Sequence, residues 1–241
     1  MRAKDKKVLN ISLSIIIALG LTACGGGGGN GSGSSIAGGS GSDNGGSGDG
    51  AGSGGCVTFP RVKVGQIVKT KITDGKGEEA PFISGFTEEI IAVSDTATTV
   101  RLDGSPVLID ITREYTIANN FQDLTKETEE LLGQKYVTTY TPFQRLPIDK
   151  VCEGQTWTSV YTEKSDEEGI VNHSQSFTIE AVNVSKTTAA GTFNTFRLKS
   201  EDIGIGGTYW IDIDSGHTVF NEFSTTSGNI SGSIELIEKN F

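Results

Sequence analysis

Residues 25–55 hold 17 glycines in 31 positions, with one isolated aliphatic residue (Ile36) and two charges (Asp43 and Asp49). A segment of this kind cannot bury enough apolar surface to offset its backbone entropy, so it is expected to act as a flexible tether rather than part of a fold. By random-coil scaling its root-mean-square span is about 30 Å, and its full extension is on the order of 100 Å. Packing is therefore confined to residues 56–241, long enough for one sizeable core.

The segment before the tract begins MRAKDKKVLNISLSIIIALG, a basic start followed by an apolar run from Val8 to Gly20. This is the pattern of a secretory signal covering residues 1–23, and it is left out of the fold. It ends in Leu21-Thr22-Ala23-Cys24. These four residues resemble the lipobox of bacterial lipoproteins. The resemblance implies that the Cys24 thiol is alkylated by diacylglycerol, that the signal is cut before it, and that the new amine is acylated. Gly25 in place of Asp then implies delivery to the outer membrane of a Gram-negative cell. Several acyl chains make such attachment effectively permanent, whereas a single chain is marginal.

Without residues 1–23 the chain keeps 16 Lys and Arg against 29 Asp and Glu, a net charge of −13. Phosphate backbones repel such a chain, which disfavours nucleic-acid binding. Membrane contact is expected through the lipid.

From Val57 onward, short alternating runs rich in Thr, Val, Ile and Phe follow one another, among them GQIVKTKI, KYVTTYT, QSFTIEAVNV and GTYWIDI. Their close spacing predicts a mainly β, antiparallel protein: a curved sheet, half-barrel or sandwich. One segment differs. In FQDLTKETEELLG, Leu124, Leu131 and Leu132 fall at i, i+7 and i+8, and Gly133 stands where a helix would end. The spacing predicts a short helix over 124–132.

The two halves of this region, 56–145 and 146–241, repeat one another. Val64-Gly65-Gln66 recurs as Glu153-Gly154-Gln155, an offset of 89. Phe86-Thr87-x-Glu89 with Val93-Ser94-x-Thr96 recurs as Phe177-Thr178-x-Glu180 with Val184-Ser185-x-Thr187, at 91; Arg101-Leu102 recurs as Arg197-Leu198. A duplication of two similar meanders joined in one β-domain is expected. Cys56 and Cys152 lie at the entrance to the first strand of each repeat. With Cys24 committed to lipid, the two are expected to pair in an oxidising compartment.

Gly154-Gln-Thr-Trp157, Ala190-Gly191-Thr192-Phe193 and Tyr209-Trp210 before Gly216 resemble landmarks of a loose group of bacterial lipoproteins of unknown role. That group is similar to the half-barrel carriers LolA and LppX, and the resemblance covers about residues 146–223.

Candidate chemistry is sparse. His173 and His217 are the only histidines and have no metal-ligand spacing. Ser215, His217 and a nearby Asp could be read as a hydrolase set, but a turn explains all three. Asp212, Asp214 and Gly216 match only the start of a calcium loop. Glu78-Glu79 and Asp166-Glu167-Glu168 are expected at solvated hairpin tips. Trp157, Trp210, Phe177, Phe193, Phe196 and Tyr209 are expected in the core. No catalytic residue, metal or cofactor is expected. The expected function is a non-enzymatic, lipid-anchored binding module for an envelope protein or component. The alternatives are a carrier holding an acyl chain in a half-barrel and, more remotely, a hydrolase.

Overall fold

A computed structural model describes residues 55–59, 62–79, 83–106, 109–131, 133–165, 169–201, 205–225 and 230–241. The signal, Cys24 and residues 25–54 of the glycine tract lie outside the described residues, as does Asp166-Glu167-Glu168.

Fourteen strands make up the described chain: β1 (Cys56–Thr58), β2 (Ile67–Asp74), β3 (Ile83–Val93), β4 (Ala97–Pro106), β5 (Ile109–Ala118), β6 (Phe121–Leu131), β7 (Gln134–Pro147), β8 (Lys150–Cys152), β9 (Thr156–Ser165), β10 (Gly169–Thr188), β11 (Gly191–Glu201), β12 (Ile205–Asp212), β13 (Thr218–Thr225) and β14 (Ser231–Lys239). Twelve of them form one closed antiparallel barrel in which each strand pairs with the next, β7 pairs with β9, and β14 returns to β2. The remaining two, β1 and β8, form a short ribbon.

Two expectations are corrected here. The sheet is neither a half-barrel nor a sandwich, because Gly232 to Lys239 of β14 pair with Asp74 back to Val68 of β2. That seam removes both free sheet edges, which would otherwise template association. The expected helix is strand β6, paired with β5 on one side and β7 on the other. Register shifts beside Leu124 let it and Gln122 face inward together with Glu127 and Glu129, so a bulged strand mimics helical spacing. Gly133 takes φ +78° in the turn between β6 and β7, not at a helix end.

The halves are two six-stranded meanders, β2–β7 and β9–β14, and the Gly-Gln motifs open both. Lys63 to Gln66 and Cys152 to Gln155 form the same turn. In each, the glycine has positive φ (84° and 81°) and the Gln side chain accepts a bond from the backbone N–H three residues earlier (2.7 and 3.2 Å). Gly65 and Gln66 then exchange backbone bonds with Ile90 as Gly154 and Gln155 do with Ile179. These bonds equate Ile90 with Ile179 at an offset of 89. The matches at 91 around Phe86 and Phe177 are therefore two residues out of structural register. The Glu89–Arg101 ion pair (2.7 Å) nonetheless recurs as Glu180–Arg197 (2.8 Å).

Alternation sends apolar side chains inward and most charged ones outward. Ile90, Ile111, Leu124, Phe196 and Leu198 are each 0% exposed. The outer face carries the cross-strand pairs Lys69–Glu238, Arg101–Glu89 and Lys126–Glu114. A membrane-spanning barrel needs the reverse, an apolar outer band. The β1–β8 ribbon and the residues that follow β1 fill one end: Val151 of β8, with Phe59 and Val62, joins the same core, and the Phe59 ring meets that of Phe196 at 5.7 Å. A disulfide joins Cys56 to Cys152, which are paired residues of the ribbon. Of the aromatics expected in the core, Phe177, Phe193, Phe196 and Tyr209 are buried. Trp157 packs against the main core, and Trp210 against a second cluster of Val68, Phe193, Val219 and Leu236.

Candidate functional site: a groove above a polar lumen

The strand directions give the barrel two unlike ends. Gly55, the start of β2, the disulfide and Phe241 lie at the ribbon end. At the other end, where β2, β11 and β13 finish, a groove of about 740 Å³ is lined from β2 and β11–β14. Its walls carry Ser200, Thr208, Ser231 and Ser233, with Phe220 and Phe223, and Asp74, Glu201, Glu222 and Lys199 supply its charge. Two glycines shape it by close approach. A Cβ on Gly232 would lie 2.2 Å from the Thr73 carbonyl oxygen and 2.7 Å from the Phe223 ring, and one on Gly207 would lie 3.0 Å from the Glu222 carbonyl oxygen. Side chains there would wedge the strands apart.

Ser200 leads from the groove into the lumen. Its hydroxyl accepts a bond from the buried Gln175 amide (2.6 Å), and it also bonds Tyr209, which reaches Asn221. Burial pushes the Tyr209 phenol up to about 12, against the pull of Arg145 and its hydrogen bonds. Deeper still, Arg113 of β5 donates from Nε to Glu127 Oε2 at 2.6 Å, with both side chains buried. Burial works against the guanidinium's charge, but Glu127, Tyr115 and Tyr140 outweigh it and hold the Arg113 pKa above its ordinary range. Burial, then Glu127 and Glu163, likewise raise the Tyr140 phenol. Arg113, Glu127, Tyr140 and Gln175 belong to no motif of the sequence. The signal was the alternation Ile109-x-Ile111-x-Arg113-x-Tyr115, which places an arginine on the apolar face of β5.

Asp123, also buried, has no hydrogen bond to its Oδ1, and burial pushes its carboxyl up to about 6. Because the folded pKa lies above the ordinary 3.8, the site favours the protonated form. Its contribution to stability is greatest below pH 3.8 and is lost as pH rises through 6. Asp123→Asn is expected to stabilise the protein at pH 7.5 by about 1–3 kcal/mol. Denaturant titrations between pH 4 and pH 8 should show a flatter profile for the variant than for the parent.

The residues of the possible hydrolase set do not assemble one. The Ser215 hydroxyl donates to Asp212 Oδ2 (2.5 Å), whose carboxylate also caps the Ser215 N–H (3.0 Å), as in a turn. His217, fully buried, places Nδ1 3.1 Å from Glu88 Oε1 and stacks on Phe241. The Asp212 carboxylate is thus engaged in the turn rather than in a calcium loop. His173 stands 3.0 Å from Glu163 and stacks on Tyr161. Among the described residues, no three His, Cys, Asp or Glu converge as a metal site. Glu78 and Glu79 are exposed at the groove end, Glu79 beside Lys71 at 3.2 Å.

No protein-family model and no curated protein matches the chain. Three solved structures are similar over most of it. They are a candidate lipoprotein from Parabacteroides distasonis (12% identity, TM-score 0.41, covering 76% of this chain and 97% of that one); a candidate exported protein with a YmcC-like fold from Bacteroides fragilis (10%, 0.43, 77% and 100%); and the hypothetical lipoprotein YmcC of Escherichia coli (11%, 0.40, 72% and 84%).

Proposed function

We propose that this chain is a lipid-anchored envelope lipoprotein that acts by binding, without chemistry of its own, and that the groove opposite the ribbon end is its recognition face. The observation that carries this reading is the polarity of the barrel. The disulfide and the point where the chain departs toward Cys24 share one end, which leaves the groove turned away from an anchoring bilayer. Ser200, Thr208, Ser231 and Ser233, backed by Phe220 and Phe223, suit a polar ligand or the polar rim of a partner better than an acyl chain. A carrier of apolar ligands is the weaker reading. Its chain would need lumen volume that Ile111, Leu124, Phe196 and the Arg113–Glu127 pair occupy.

A photo-crosslinking residue at Thr208, in cells producing the full chain, is expected to yield a defined envelope adduct, whereas one at Val160 on the outer wall yields none. Equal labelling from both positions would contradict the assignment of the groove. Cys24→Ser is expected to abolish incorporation of labelled fatty acid and to move the protein from the membrane to the soluble fraction.

A further inference from the structure

Six large apolar side chains are exposed among the described residues, and four of them lie together at the ribbon end. They are Val64 (61% exposed), Ile91 (38%), Ile237 (41%) and Phe241 (40%); the other two, Val160 and Ile170, sit on β9 and β10. The four come from β14, β2 and β3 or their ends, which are neighbours in the barrel. Hydrogen bonds hold the segment in place. Asn240 bonds Gly65 O through its amide nitrogen (3.0 Å) and receives the Ile67 N–H on its amide oxygen (2.8 Å), while Gly65 N donates to Ile90 O (2.9 Å). Ile91 and Ile237 are bulge residues at register shifts in β3 and β14. A bulge spends a residue outside the ladder and re-aims its side chain, and here both bulges present an isoleucine to solvent. A recess of about 490 Å³, lined by Ala190, Ile237, Glu238, Lys239, Asn240 and Phe241, adjoins the patch, with the Glu238 carboxylate neutralised by Lys69 at 2.7 Å. Exposed Lys63 and Lys239 flank it, the Lys239 ammonium lying over the Phe193 and Phe241 rings at 4.7 and 5.0 Å.

We infer that this patch rests on the lipid bilayer, with Val64, Ile91, Ile237 and Phe241 entering the headgroup boundary and the two lysines reaching phosphates. The inference deepens the lipid-anchor reading above and rests on it. The occupant follows from where the chain leads. Cys56 is stapled at this same end, and the Gly-rich segment before it runs back to Cys24. A tether of the span expected from that segment's composition, about 30 Å, would hold the patch near the bilayer at an effective concentration of about millimolar or above. A small patch too weak to recruit a free protein is then enough to orient an anchored one. Apolar groups edged by lysines form the usual interfacial pairing, since the lysine stem lies along apolar surface while its ammonium stays at the phosphates. The result is an upright barrel with its groove facing away from the membrane.

The test uses the full lipidated chain, reconstituted in phosphatidylethanolamine–phosphatidylglycerol vesicles with or without brominated acyl chains. Phe241→Trp reports from the patch and Lys76→Trp from the opposite end, each after subtraction of the parent protein's Trp157 and Trp210 emission. Expected are co-flotation of both variants, a blue-shifted signal from the Phe241→Trp chain that loses most of its intensity to brominated lipid, and no quenching in the Lys76→Trp chain. Adding Ile237→Asp and Val64→Asp to the Phe241→Trp chain should abolish the quenching while flotation persists. Flotation with equal quenching at both positions would overturn the docking and leave the anchor standing. Failure to float would overturn both. A blue shift that depends on protein density and not on bromine would assign the patch to a second copy of the chain and overturn the bilayer as occupant.

Discussion

Replacing Cys56 and Cys152 together by serine should destabilise the barrel by about 4–5 kcal/mol, the chain-entropy value for releasing a loop of nearly a hundred residues. The bridge spans a sequence separation of 96 and joins the start of one meander to the start of the other. It restricts the unfolded chain far more than the three-residue ribbon it sits in could restrain the folded one. The loss should lower the melting temperature by roughly 10–20 °C. It should also raise the denaturant m-value, because the unbridged unfolded chain exposes more surface. The ribbon should still pack, since Phe59, Val62 and Val151 are buried in the main core whether or not the sulfurs are joined. Equilibrium denaturation of the oxidised parent, the reduced parent and the double serine variant measures each of these effects.

Arg113→Met is expected to cost about 3–5 kcal/mol, because it leaves the Glu127 carboxylate buried without its partner. Glu127→Met should cost a similar amount by removing the carboxylate to which the buried guanidinium donates from Nε. The double replacement should recover most of the loss, since the folded state then bears neither desolvated charge nor its compensation. Thermal and urea unfolding of the three variants give the coupling energy directly. A net stability of about 5–15 kcal/mol is usual for a domain, so either single change should bring the barrel close to unfolding at growth temperature. Additive losses in the double variant would show that the two side chains do not act as a pair.

These two sites differ in how readily they can be read from the chain. The Cys56–Cys152 bridge follows from counting thiols once Cys24 is assigned elsewhere, and the Gly-Gln motifs that open both halves are local turns. Gly65 and Gly154 take a conformation that other residues adopt at a cost, and Gln66 and Gln155 close the turn with their own side chains. Strand content is equally local, because alternation of Thr, Val and Ile follows from the pleat. Closure of the barrel is not local. It depends on β14 meeting β2 across most of the chain, and an open sheet of the same strands would carry the same alternation.

The β6 segment misleads for a related reason. Leu124 and Leu131 satisfy a helical period, while Glu127 and Glu129, the acids that would make a solvated helix face, are buried in the lumen. Arg113, the partner of Glu127, is one strand away and identifiable only through its place on the apolar side of β5. The groove is harder still. Gly207 and Gly232 resemble turn or linker glycines in the sequence, and their role comes from the Glu222 and Thr73 carbonyls that approach them from neighbouring strands.

The proposed anchor holds one end of the stapled barrel to lipid through Cys24. Intact-mass and peptide mass spectrometry of the protein extracted from membranes without reduction tests it most directly. The expected product is a chain beginning at Cys24, carrying acyl mass on that residue, with one peptide pair linked through Cys56 and Cys152. A mature chain with an unmodified Cys24, or with Cys56 and Cys152 both free, would contradict it.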